Sequence, residues 1–102
     1  MAERVVERTL SDGGLSIHYR LERLGGDLLL TVTGGAAHVG CVVLATHRQS
    51  LTGSGTDSAD SSVLNRSGHK DEFLLRALAE RLSAVAGCAV AAVGGVHYDG
   101  LD

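Results

Sequence analysis

The chain has 102 residues, enough for one domain and too few for a second, and a domain of this size buries about two-thirds of its unfolded surface. Its 44% hydrophobic content is mostly Leu, Val and Ala with no Trp, a light core that burial against a partner would help. A formal charge of -3 supplies no basic field for nucleic acid or an anionic membrane, and no apolar stretch approaches the length of a membrane span, so anion binding is expected only locally.

Residues 4 to 10 predict a first strand, ended by the turn signal Ser11-Asp12-Gly13-Gly14. From Leu15 to Arg23 the alternation is clearer: Leu15, Ile17, Tyr19 and Leu21 fall on one face and Ser16, His18, Arg20 and Glu22 on the other, the pattern of a strand with one side in the core. Gly25-Gly26-Asp27 turns the chain into a third strand, where Leu28, Leu30 and Val32 alternate with Leu29, Thr31 and Thr33. Gly34-Gly35-Ala36-Ala37 predicts a further glycine turn into His38-Val39-Gly40-Cys41-Val42-Val43-Leu44-Ala45. This strand is apolar on both faces, as is the run from Cys88 to Val96, and such strands belong in the middle of a sheet covered on both sides.

Between them, residues 47 to 60 are nearly all small and polar and predict a flexible loop, either a lid over a site or a disordered connection. From about Lys70 to Ala86, Leu74, Leu75, Leu78, Leu82 and Val85 follow the helical period, and Gly87 is placed to end the helix. One helix covers one face of a sheet. The other face therefore needs a partner, and a homodimer packing sheet against sheet, or extending one sheet, is the expected solution.

Cys41 and Cys88 lie in apolar runs without C-x-x-C spacing or a signal peptide, which makes the reducing cytoplasm the expected compartment. Polar candidates gather at the ends of elements. At the helix entry, backbone N–H groups beside Arg66, His69, Lys70 and several hydroxyls form a plausible phosphate cradle; an ordinary entry capped by Ser67, with Asp71 and Glu72 on the dipole, explains the same residues. His38, His69, His97 and Asp99 are usable metal ligands by type, but their spacing matches no familiar signature, so no metal is assigned. His69 or His97 is conceivable as a general base, with no paired acid at a diagnostic spacing. The cysteines and loop serines lack the setting of a nucleophile.

Taken in order, Gly34-Gly35-Ala36-Ala37-His38-Val39-Gly40, then Gly68-His69-Lys70-Asp71-Glu72, then Gly94-Gly95-Val96-His97-Tyr98-Asp99 resemble the small D subunit associated with gallate-type decarboxylases, over about residues 15 to 102. The resemblance implies a non-catalytic chaperone that binds reduced prenylated FMN and delivers it to a UbiD-type decarboxylase of aromatic acids. It also implies a dimeric α+β fold like that of proteasome assembly chaperones. The expected architecture is a single domain over residues 1–102: a mainly antiparallel sheet of about five strands, with one long helix between the last two.

The cofactor-binding positions implied are Gly35, His38, Gly40, Gly68, His69, Lys70, His97 and Asp99, joined by Ser62 and Arg66 beside the helix entry. In that assignment Lys70, His69 and the helix start neutralise the phosphate, His38 and His97 bond to or stack on the flavin rings, Gly35 and Gly40 permit close approach, and Asp99 orients His97 or caps a turn. The alternatives are a decarboxylase assembly subunit without ligand affinity and a small metal- or histidine-dependent enzyme.

Overall fold

The computed structural model describes residues 4–49, 57–66 and 72–98. Six strands and one helix follow in chain order: β1 (Val5–Asp12), β2 (Leu15–Leu24), β3 (Asp27–Gly35), β4 (Cys41–Gln49), β5 (Asp57–Asn65), α1 (Glu72–Ala86) and β6 (Val90–His97). They form one mixed sheet of spatial order β1-β2-β3-β6-β4-β5. Only the β3–β6 pairing is parallel, and the other neighbours run antiparallel.

The first turn shows why the sequence folds this way locally. Asp12 pairs with Leu15 across a two-residue connection, and Gly13 and Gly14 both have positive φ, 59° and 85°. A right-twisted hairpin closed by two residues needs that backbone, and glycine adopts it without steric cost.

The register sorts every side chain to one of two faces. Val43 pairs with Val63 and Ala92, Ala92 with Leu30, and Leu30 with Leu21, so these residues share a face. Over it α1 packs against β4, β5 and β6. Leu75, Ala79 and Ser83 of the helix are fully buried there against Val32, Cys41, Val43, Ala45, Val90 and Ala92. The row continues beyond the helix into Ile17, Tyr19 and Leu21, which pack against the edge of this core. Ser83 is tolerated in it because its hydroxyl donates to Cys88 O at 2.6 Å. The opposite face carries Val42, Leu44, Leu64, Ala91, Val93 and Leu29, and no element of the described chain lies over it. Leu44 and Leu64 are 50% and 76% exposed. The molecule is accordingly flat, 44 × 35 × 22 Å, with a short axis of two layers.

Four expectations need correction. The sheet has six strands instead of about five; it is mainly antiparallel, as expected, and mixed only through the parallel β3–β6 pairing. The additional strand, β5, falls partly in the run read as a flexible loop over 47–60: residues 47–49 lie in β4, and 57–60 pair with 46–49. Asp and Ser argue against strand by propensity, but β5 is an edge strand, where polar side chains face solvent and deter further pairing, and β4 supplies nine rungs of register. Residues 50–56 lie outside the described residues.

The glycine turn at 34–37 is also displaced. Gly34 and Gly35 are the last rungs of β3, and β4 begins at Cys41, so His38 sits in the connection and not at a strand start. Finally, Val85 is 70% exposed; the buried stripe runs through Leu75, Ala79 and Ser83, and the expected start near Lys70 lies outside the described residues.

Candidate functional site

Three separate segments meet where β3 and β6 end. Gly35 has φ 67°, and a Cβ there would stand 1.8 Å from His97 O, so only glycine lets the two strand ends cross. Beyond it the Ala36 N–H donates to His97 O at 3.2 Å. The 37–40 connection is then tied down at its far end: Gly40 donates to Gly94 O at 2.9 Å and its carbonyl accepts the Arg66 N–H at 2.9 Å. Arg66, at the end of β5, adds a guanidinium hydrogen bond to Val39 O at 3.2 Å.

The result is an open hollow of about 210 Å³ lined by Ala36, His38, Arg66 and His97. The two imidazoles meet edge to face, with centroids 6.4 Å apart and planes at 88°. His38 Nδ1 lies 2.9 Å from Ala36 O. A carbonyl only accepts, so Nδ1 carries the proton and the ring's orientation is set by its own backbone. Among the described residues no carboxylate pairs with the Arg66 guanidinium, leaving a cation on the rim of a mainly apolar hollow. Such a site suits an anion carried on a flat, partly apolar body: a guanidinium matches phosphate geometry, and imidazole edges meet ring systems and polar ring atoms. Among the described residues no three His, Cys, Asp or Glu side chains are grouped to hold a metal ion.

A protein-family comparison matches residues 11–102 to the prenylated flavin chaperone LpdD-like domain. The chain belongs to this prenylated flavin chaperone family. No curated protein matches it. Among the described residues, no helix is long and apolar enough to cross a membrane.

Within this flavin chaperone domain the residues expected from sequence divide into three groups. His38, Arg66 and His97 line the hollow, and Gly35 and Gly40 shape it from behind, Gly35 by admitting the protein's own His97 carbonyl. Ser62 is exposed in β5 and pairs with Leu44 across the helix-free face; it does not line the hollow. Its neighbours are committed elsewhere, the Ser61 hydroxyl to the Glu80 carboxylate on α1 and the Asn65 amide to Glu72 Oε1 at 2.6 Å. Gly68, His69, Lys70 and Asp99 lie outside the described residues. The Asn65–Glu72 bond joins the end of β5 to the first turn of α1.

Sequence reasoning missed Ala36, whose backbone links the two histidines, and Tyr98, whose hydroxyl accepts the Ser16 N–H at 2.6 Å and donates to Ser16 O. The signal for Ala36 lay inside the Gly-Gly-Ala-Ala-His run. Tyr98 stood as the interchangeable residue between His97 and Asp99, and nothing local connects it to a serine 82 positions earlier.

Proposed function

We propose that this flavin chaperone holds reduced prenylated FMN and hands it to a UbiD-type decarboxylase of aromatic acids, as a non-catalytic carrier working in the cytoplasm as a homodimer. The convergence of His38, His97 and Arg66 on one hollow, in a chain of this family, is the observation that carries the reading. Arg66, with Lys70 and His69 a few residues further along the chain, would neutralise the phosphate. His38 and His97 would meet the edge of the flavin rings. Gly68 would ease the entry to α1, and Asp99 would orient His97 from just beyond the strand.

Size supports a shared pocket. Sites for ligands of this class run to roughly 300–1,000 Å³, and the hollow offers about 210 Å³. One copy of the described chain would hold part of the ligand. A second copy would complete the enclosure. The uncovered row of Leu29, Val42, Leu44, Leu64, Ala91 and Val93 would give a second copy an apolar surface to pack on.

That same face favours one competing reading, a decarboxylase assembly subunit with no small-molecule affinity. An anaerobic titration followed by absorbance separates the two. The carrier takes up reduced prenylated FMN saturably and leaves oxidised FMN unbound, and Lys70→Glu weakens uptake by about tenfold or more, as expected for reversing a charge beside a phosphate. No uptake, together with tight association with a decarboxylase, would overturn the carrier in favour of the assembly subunit.

A further inference from the structure

We propose that Tyr98 is the positioning residue of the hollow: its hydroxyl, clasped to both backbone groups of Ser16, fixes the strand end from which His97 faces His38. This deepens the carrier reading and rests on it.

The clasp arises from the way two ladders run out. Between β1 and β2, the Thr9 hydroxyl meets His18 Nδ1 at 2.8 Å and the Ser11 and Ser16 hydroxyls meet at 2.8 Å. Side chains that bond directly across alternate rungs mark the close, non-hydrogen-bonded pairs of an antiparallel ladder. Ser16 therefore turns its N–H and C=O away from β1, toward the side where β3 would continue. The β2–β3 ladder, however, stops at His18–Thr33, and β3 swings off at Gly35 with φ 67°. Ser16 is left without its next rung. The Tyr98 hydroxyl takes that place, accepting the Ser16 N–H at 2.6 Å and donating to the Ser16 carbonyl. A hydroxyl has both a donor and lone pairs, so one atom replaces the missing strand residue. Gly34 keeps the space clear, since a Cβ there would stand 2.9 Å from Ser16 O.

His97 depends on this anchor because β6 ends with support on one side only. The β4–β6 ladder stops at Cys41–Gly94, while β3 follows β6 as far as Gly35–His97. From there a continuous relay of contacts runs through the hollow: Ser16 to Tyr98, the His97 carbonyl to Ala36 N–H, and the Ala36 carbonyl to His38 Nδ1. Loosening the Tyr98 end changes the angle at which the two rings meet.

Tyr98→Phe removes the hydroxyl and keeps the ring. Losing a net hydrogen bond on this relay should weaken anaerobic binding of reduced prenylated FMN by about fivefold to tenfold, and should move the His38 and His97 ring resonances in the ligand-free NMR spectrum. Thr9→Ala removes a side-chain bond of the same β1–β2 ladder outside the relay and should leave binding and the His38 and His97 ring resonances as in the wild type. A Tyr98→Phe chain with a lowered melting temperature but unchanged affinity and unchanged ring signals would overturn the proposal, because the clasp would then only support the fold. Wild-type protein that binds no flavin would count against the carrier reading, while the ring signals would still decide the clasp.

Discussion

The two faces of the sheet are built from the same strands and nearly the same residue types, yet they meet different surroundings. On one, Val43, Ala92 and Leu30 disappear under Leu75 and Ala79 of α1. On the other, one residue along each strand, Leu44, Ala91 and Leu29 have no helix over them, and Leu44 is half exposed. Even the open face is divided. Toward β1 and β2 it carries Glu7, Arg20 and Glu22 in a solvated charge ladder, with Arg20 3.6 Å from Glu7 and 3.1 Å from Glu22, whereas toward β4 and β5 it is apolar. Two-sided hydrophobicity thus reports a strand's central place in the sheet. It does not report what covers it.

The sharpest way to break the comparison is to empty a site on the covered face. Leu75→Ala empties a fully buried site under the helix and should cost about 2–5 kcal/mol in chemical denaturation, since the surrounding sheet can collapse only partly into the space. A loss below about 1 kcal/mol would mean that α1 is not packed as described.

How much of this could be read beforehand follows from the range of the interactions involved. The hairpins were legible because Gly13-Gly14 and the alternation from Leu15 to Leu21 act within a few residues. α1 was legible by its period, although Val85 was assigned to the wrong side because the burial of Ser83 depends on a carbonyl supplied after the helix ends. β5 was not legible: Asp-Ser-Ala-Asp-Ser has no strand propensity, and its order comes from β4 and from the Arg48–Asp60 contact at 2.9 Å. In the site, His38 and His97 stood out as chemistry at element ends and the resemblance joined them, while Arg66 was legible only as part of the basic helix entry. The backbone crossing at Gly35 and the reach of Tyr98 to Ser16 are tertiary, with no local pattern to announce them.

A middle-sized effect tests the open face. Leu44→Lys places a charge on a residue that is already half exposed, so the stability of the isolated chain should stay within about 0.5 kcal/mol of wild type. If that face is where two copies meet, sedimentation should show the species shifting toward monomer, because an unpaired charge at the centre of an apolar interface is strongly disfavoured. An unchanged sedimentation profile would place association elsewhere, for example along the edge of β5. The variant separates the needs of folding from those of assembly, which Leu75→Ala cannot do.

The smallest effect uses the two thiols as reporters of the covered side. Cys41 is 1% exposed in the row of Val43 and Ala45, and Cys88 is half-buried just beyond α1. Burial, and then the negative charge of Asp27, push the Cys88 thiol above its ordinary pKa, against a weaker opposing pull from Arg23. The reactive species is the thiolate, so at neutral pH Cys88 should alkylate more slowly than an unperturbed thiol, and its rate should climb about tenfold per pH unit until its raised pKa is reached. Asp27→Asn removes the lesser of the two raising causes and should speed the reaction at neutral pH. Cys41 should react only as fast as β4 and α1 separate, making its labelling a clock for opening of the covered face. If Cys41 were labelled in native protein as readily as the half-buried Cys88, the seal of α1 over β4 would fail.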